Sequence, residues 1–159
     1  MFVSKKVEIK ETNKGKGIFA NKKIGKYERI LEFEKNFVTK PSNFTLRIAE
    51  NIHQISKDPC AKENFVNHSC EPNAYINFKD LSLKALRNIK PDEEIAYNYL
   101  TVDWDDEDIF ECKCRAKNCY KNLHGFKNLS FKEKIKLRQF LSPFLSKKIK
   151  ENKSADRSC

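Results

Sequence analysis

The chain has 159 residues, 39% hydrophobic and 34% charged, with a net charge of +10; that is room for one folded domain with a short appendage, and it excludes wholesale disorder. No apolar run approaches the ~20 residues of a membrane span, and Met1-Phe2-Val3-Ser4-Lys5-Lys6 lacks the apolar centre of a secretory leader. The expectation is an intracellular protein, cytoplasmic or nuclear/nucleoid-associated, without a membrane partner and, in the absence of any oligomer signal, monomeric.

The first hundred residues read as short strands. Lys16-Gly17-Ile18-Phe19-Ala20 and Arg29-Ile30-Leu31-Glu32-Phe33 are apolar stretches bounded by Gly, Lys and Asn. Thr45-Leu46-Arg47-Ile48-Ala49-Glu50-Asn51-Ile52 reads as the helical turn of this half. Asn67-His68-Ser69-Cys70-Glu71-Pro72-Asn73 has turn chemistry. Ala74-Tyr75-Ile76-Asn77-Phe78 and Leu81-Ser82-Leu83-Lys84-Ala85-Leu86 alternate, and Asp80 at their junction marks a hairpin. Lys90-Pro91-Asp92 is a turn signal ahead of the strand Glu94-Ile95-Ala96-Tyr97-Asn98-Tyr99.

Charge is unevenly placed. Residues 80–111 carry 10 Asp/Glu against 3 Lys/Arg, including the run Asp103-Trp104-Asp105-Asp106-Glu107-Asp108, a place to attract a cationic substrate segment. Residues 121–153 reverse this, with 10 cations to 2 acids. The basic total admits nucleic acid as a partner, although only six of the 32 cations are arginine, the residue better suited to bidentate phosphate contacts. Ser130 and Glu133 fit a capping box, with Ile135, Leu137, Phe140 and Leu141 following at roughly helical spacing. Ser142-Pro143 reads as the cap and first position of a second short helix carrying Phe144, Leu145 and Ile149. Residues 151–159 should be frayed.

Six cysteines in a reducing compartment argue for metal or chemistry more than for disulfides. Cys112-Lys113-Cys114-Arg115-Ala116-Lys117-Asn118-Cys119 sets three thiols within eight residues, and a structural zinc takes four tetrahedral ligands. The fourth ligand has to come from elsewhere: Cys70, Cys60, Cys159, His68 and His124 are the candidates, and spacing does not choose among them. His68 and Cys70 do not read as a nucleophilic pair, because no orienting partner is identifiable.

Taken together and in order, these segments resemble a SET-domain protein-lysine methyltransferase with a post-SET zinc segment. The resemblance rests on Asn67-His68-Ser69-Cys70-Glu71-Pro72-Asn73, on residues 85–99, on the C-x-C-x4-C run, and on Gly15-Lys16-Gly17-Ile18-Phe19-Ala20 as the N-terminal G-x-G strand. It covers roughly residues 5–126. It implies a mainly β fold of small sheets with pseudoknot-like threading: a SET domain over 1–109, a post-SET zinc-binding segment over 110–126, C-terminal helices over 127–150 and a flexible tail over 151–159. It further implies S-adenosylmethionine as methyl donor and a lysine ε-amine of a protein as acceptor, the substrate being histone-like or ribosomal. Tyr99 and Tyr97 then fall at the catalytic positions; Lys16, Gly17, Asn67, His68, Tyr99 and Phe126 contact the cofactor; Cys70 joins Cys112, Cys114 and Cys119 around zinc. The sequence departs from the family pattern in these places: Tyr120-Lys121-Asn122 follow the last cysteine where Arg-Gly is frequent, Asp92 replaces a common turn glycine, and Asn98 replaces a frequent Asp.

These residue types suit that chemistry. Methyl transfer from a sulfonium is an in-line displacement, governed by positioning. A phenol offers a donor, an acceptor and an aromatic wall, and residues two apart on a strand face one side. Two other function classes compete: a catalytically inactive zinc-stabilised module that binds basic protein tails or nucleic acid, and a DNA-associated zinc protein with steep salt dependence. Binding of S-adenosylmethionine separates the first from the enzyme.

Overall fold

The computed structural model describes residues 2–12, 14–42, 44–105 and 110–155. Asp106, Glu107, Asp108 and Cys159 lie outside the described residues.

The chain is mainly β, in small sheets, as the resemblance implies. Its strands are β1 (Val7–Thr12), β2 (Gly15–Ala20), β3 (Arg29–Glu32), β4 (Phe37–Val38), β5 (Leu46–Ala49), β6 (Ile52–Gln54), β7 (Asn67–His68), β8 (Ala74–Asn77), β9 (Ser82–Ala85), β10 (Glu94–Tyr97), β11 (Phe110–Glu111) and β12 (Asn122–Leu123). Two α-helices follow, α1 (Phe131–Leu137) and α2 (Pro143–Ala155). The site-bearing sheet has the order β1-β2-β10-β7, with β10 antiparallel to β2 but parallel to β7, pairing Ala96 with Asn67 and Tyr97 with His68. A second sheet runs β3-β9-β8, a third β4-β6-β5, and β11 pairs with β12 alone.

Strands buried on both faces, with the bridge residue Ile89, build the main core. Ile18, Ile30, Leu31, Leu83, Ile89 and Ile95 are all fully buried, and each such side chain contributes about 1.5–3 kcal/mol of burial free energy. The β8–β9 hairpin forms where Asp80 predicts it; Asp80 accepts from Ser82 Oγ at 2.6 Å and from Lys84 Nζ at 2.7 Å. Asp92 sits at φ 63°, the left-handed conformation a turn glycine would otherwise supply.

Residues 45–52 correct the sequence reading. They are not helical but the β5–β6 hairpin, turning at Glu50 and Asn51, with Leu46 opposite Gln54 and Arg47 opposite His53. Ile48 and Ile52 are β-branched and favour a strand once β4 offers a pairing edge. The strand expected over 94–99 also ends early. Tyr99 opens a 3-10 turn over Tyr99–Thr101, capped by the Asn98 carboxamide oxygen, which accepts from Leu100 N–H.

A second apolar cluster joins Leu100, Cys112, Leu123 and Phe126 to Leu137, Phe144 and Leu145 of the helical segment. The Ser130–Glu133 capping box forms around α1, and Ser142 Oγ accepts from Leu145 N–H at the start of α2, which runs on to Ala155. Helix α2 lies against β5: the Arg47 guanidinium is 4.0 Å above the Phe144 ring, Lys148 pairs with Glu50 at 3.5 Å, and Ser142 N–H donates to Thr101 O at 2.8 Å. Gly125, at φ 80°, lets the chain cross the Trp104–Asp105 backbone, since a Cβ there would sit 2.6 Å from Trp104 O. Phe126 N–H then donates to Asp103 O at 2.8 Å and Lys127 N–H to Trp104 O at 2.9 Å.

Candidate active site

Four sulfurs converge: those of Cys70, Cys112, Cys114 and Cys119 all lie within 4.8 Å of one another, with Cys70 3.7 Å from Cys112 and 4.0 Å from Cys119. Tetrahedral zinc with bonds near 2.3 Å separates its sulfurs by about 3.8 Å, so the donor set and spacing fit that ion. The other candidates for fourth ligand stand aside: Cys60 is exposed and His124 is exposed, and His68 is 3.2 Å from the Cys70 sulfur as a hydrogen-bond partner. Burial pushes the Cys70 thiol up, and brings Cys112 to about 11. Cys114 goes the other way, to about 7: burial opposes the shift, and the N–H groups of Cys70 and Ala116 override it.

His68 links this cluster to the tyrosines. Its ring is buried, and its Nδ1 accepts from Tyr99 N–H at 3.1 Å. The proton therefore sits on Nε2, which donates to the Cys70 sulfur. Burial, helped by the nearby Lys14 charge, lowers the imidazole to about 4, so it stays neutral.

Tyr99 donates its hydroxyl to Val66 O at 3.1 Å, and its ring lies 5.0 Å from that of Tyr97 and 5.2 Å from His68. Burial, then the Asp103 charge, raises its phenol well above the ordinary range; burial does the same for Tyr97, reinforced by Tyr99 and Asp103. Both stay protonated. They share a cavity of about 810 Å³ whose opposite wall is the β5–β6 hairpin and whose lining includes Trp104 and the acids Glu50, Glu63, Asp103 and Asp105.

Behind the tyrosines a polar network closes around the first glycine-rich strand. Asn67 Nδ2 donates to Lys16 O at 3.1 Å and to Glu94 Oε1 at 2.8 Å, and Lys14 pairs with Glu94 at 2.7 Å. A Cβ on Gly17 would lie 2.9 Å from both Asn67 Nδ2 and Glu94 Oε1, so any other residue would push these two side-chain ends out of the network. Asn73 locks the preceding loop to β10, donating to Glu94 O at 2.7 Å and accepting from Ala96 N–H at 3.0 Å. The set mixes an ammonium, an amide, a carbonyl and a carboxylate, the partners that the ammonium and carboxylate of an amino-acid end group require.

The structure thus brings Lys16, Gly17, Asn67, His68, Tyr97 and Tyr99 together beside the cysteine cluster. Phe126 is placed differently: its ring is 1% exposed within the second apolar cluster, 6.3 Å from Trp104, and it is Trp104 that stands in the cavity wall. Sequence reasoning missed Lys14 and Glu94, because they are 80 residues apart and meet only through the β2–β10 pairing. It also missed the side-chain role of His68, for which a motif carries no signal.

The family model described as SET domain matches residues 15–100. The chain is 28% identical over 125 residues to an H3 lysine-4 specific histone-lysine N-methyltransferase of Emericella nidulans, covering 65% of this chain and 10% of that one. It is 28% identical over 148 residues to the probable histone-lysine N-methyltransferase set-23 of Caenorhabditis briggsae, covering 76% and 61%. It thus spans about a tenth of the length of the fungal relative. In fold it is similar to Arabidopsis thaliana SUVH6 crystallised with SAM, at TM-score 0.63, 20% identity and 77% and 34% coverage.

Proposed function

The chain belongs to the SET-domain family, and from that premise we propose that it transfers a methyl group from S-adenosylmethionine to the ε-amine of a lysine in a basic protein segment, of the histone type that its relatives' names carry. The observation that supports this most is the pair of buried, protonated phenols of Tyr97 and Tyr99, 5.0 Å apart in an acid-lined cavity, directly beside the Asn67–Glu94–Lys14 network.

When bound, S-adenosylmethionine supplies a methyl group carried on a cationic sulfur. Lys16 O, Asn67, Glu94 and Lys14 would hold its amino-acid end. The cavity's aromatic walls strip water from an entering lysine, and desolvation favours its neutral amine. The Tyr99 hydroxyl, held by Val66 O, keeps oxygen lone pairs to accept an N–H of that amine and aim its lone pair. The lost proton leaves through the open side of the cavity. Zinc, on Cys70, Cys112, Cys114 and Cys119, would act structurally, tying the loop after β7 to the segment that packs on Trp104.

The test is incubation of a lysine-rich protein pool with labelled S-adenosylmethionine, followed by mass spectrometry of the labelled bands. Label on lysine, rising in rate between pH 7 and 9 as the acceptor amine loses its proton, is the expected result. Calorimetry showing no S-adenosylmethionine binding would move the chain to the zinc-stabilised binding modules instead.

The acids of the cavity make a second expectation. Asp103 and Asp105 border it, Asp105 pairing with Lys127. Replacing both by Asn should raise KM for a basic peptide roughly two- to tenfold at low salt, with the effect shrinking as salt screens it. An unchanged KM at low salt would leave these acids as a solvated loop.

Tyr97 governs how many methyl groups are added. Its phenol crowds the amine, which must rotate and re-aim before each further transfer. One hydrogen bond is worth roughly 0.5–1.5 kcal/mol, enough to slow successive steps several-fold to tenfold. A peptide time course should therefore give mainly monomethyl-lysine, and Tyr97→Phe should shift the product toward di- and trimethyl-lysine. Predominantly trimethylated product from the unmutated protein would remove Tyr97 from this role.

A further inference from the structure

The loop between β2 and β3 gathers positive charge that methyl transfer does not use. Over residues 21–28 the chain turns inward at Ile24, which is 1% exposed and bridges antiparallel to Ile89, while Lys22, Lys23, Lys26 and Tyr27 are exposed. Hydrogen bonds seat this loop on two other segments. Asn21 donates to Lys6 O and Lys5 O, and Tyr27 N–H donates to Ala85 O at 2.8 Å. The Ile24–Ile89 bridge sets Lys23 opposite Lys90. Lys5, Lys22, Lys23, Lys26 and Lys90 thus share one surface, and no carboxylate pairs with any of them among the described residues. The neighbouring acids are engaged elsewhere: Glu28 by Lys6 at 2.6 Å and Gly25 N–H at 2.9 Å, Glu93 by Arg87 and by Lys90 N–H at 3.0 Å, and Asp92 by Lys10 at 2.7 Å. Like charges set opposite each other are destabilising until an anion lies between them.

Tyr27 stands among these lysines. Its backbone is left-handed, at φ 66°, a conformation that bulky residues rarely adopt, yet its side chain is 61% exposed, so packing does not account for it. Lys26 Nζ lies 4.7 Å from the ring centroid, which leaves the other face open. An open aromatic face among unpaired ammonium groups fits a polyanion that carries flat rings. An acidic peptide would meet the lysines but not use the ring. A bilayer is a poor fit, because the loop exposes no aliphatic side chain for insertion.

We propose that the 21–28 loop, with Lys5 and Lys90, is a binding surface for single-stranded nucleic acid. Phosphates lie on the lysines and a base stacks on the open face of Tyr27. Ammonium groups act as point charges, so the contacts carry no sequence preference. None of these residues lines the acid-lined cavity, so a basic protein segment and a nucleic acid take separate faces.

The test is fluorescence anisotropy of a labelled oligothymidylate, about twelve nucleotides long, titrated with the zinc-loaded full chain. A Kd on the order of 10 μM at about 100 mM salt is expected, with log K falling against log salt at a slope of about −3.5 for five phosphate contacts. Replacing Lys22, Lys23 and Lys26 together by Gln should weaken binding more than about tenfold and flatten the slope to about −1.4. Tyr27→Gly relieves the backbone strain, so the melting temperature should hold or rise while affinity falls about tenfold at unchanged slope. Tyr27→Phe should bind as the unmutated protein does. Replacing Lys132, Lys134 and Lys136 by Gln removes the same charge from α1 and should leave affinity within about twofold. Equal losses from the two triple variants, undiminished binding by Tyr27→Gly, or tighter binding to duplex DNA, polyglutamate or phosphatidylserine vesicles than to the oligothymidylate would each overturn the proposal, as would no binding at all. None of these readouts involves methyl transfer, so the result stands apart from the function proposed above.

Discussion

Tyr99→Phe should reduce kcat by a factor on the order of 10²–10⁴, while the affinity for S-adenosylmethionine, measured by calorimetry, stays within about twofold. The substitution preserves the ring that stacks near Tyr97 and His68 and deletes one hydroxyl, the group that donates to Val66 O. The Tyr99 backbone N–H still reaches His68 Nδ1, so the zinc-side framework is untouched. Loss confined to kcat would identify an interaction made in the transition state, and loss shared with KM one made on binding. Equal turnover in the variant would take Tyr99 out of the mechanism.

The second large effect concerns the metal. One zinc per chain is expected by native mass spectrometry, and its removal by a chelator should lower the melting temperature by about 10 °C or more. Cofactor binding and methyl transfer should be lost together. The reason is geometric. Cys70 belongs to the SET body, whereas Cys112, Cys114 and Cys119 belong to the segment that carries β11, β12 and the second apolar cluster. With the ion gone, a tie between these parts beside the tyrosines is lost, and the His68 ring loses its sulfur partner on one side while still supporting Tyr99 on the other. Cys70→Ala should behave as the chelated protein does. Full activity from a metal-free chain would refute a structural role for the cluster.

Much of this architecture is legible in the sequence, and the reasons differ by element. The β8–β9 hairpin, the Asp92 turn and the Ser130 cap are local events, written in alternation, turn residues and a three-residue spacing, so they can be read from a short window. The cysteine triplet is local too, but its fourth partner is not: Cys70 is set against it by the fold, 42 residues before Cys112. The hairpin at 46–54 defeats a local reading because its strand character depends on β4 as a neighbour, which no window around residue 48 contains. The Lys14–Glu94 pair and the burial of Phe126 behind Trp104 likewise depend on chain crossings, one through strand register and one through Gly125.

The brace between α2 and β5 has a consequence for biosynthesis. One wall of the acid-lined cavity, the β5–β6 hairpin, is made early in translation, but its contacts with Phe144 and Lys148 wait for residues almost a hundred positions later. A nascent chain that has reached residue 141 holds the tyrosines, the glycine-rich strand and all four cluster cysteines, yet its cavity wall, held by β4 and the main core, lacks the outer brace of α2. Closing so long a loop is slow compared with local hairpin formation. The last support of that wall is therefore added late, and a chain ending before α2 is expected to have a looser cavity even with every residue of the proposed chemistry already in place.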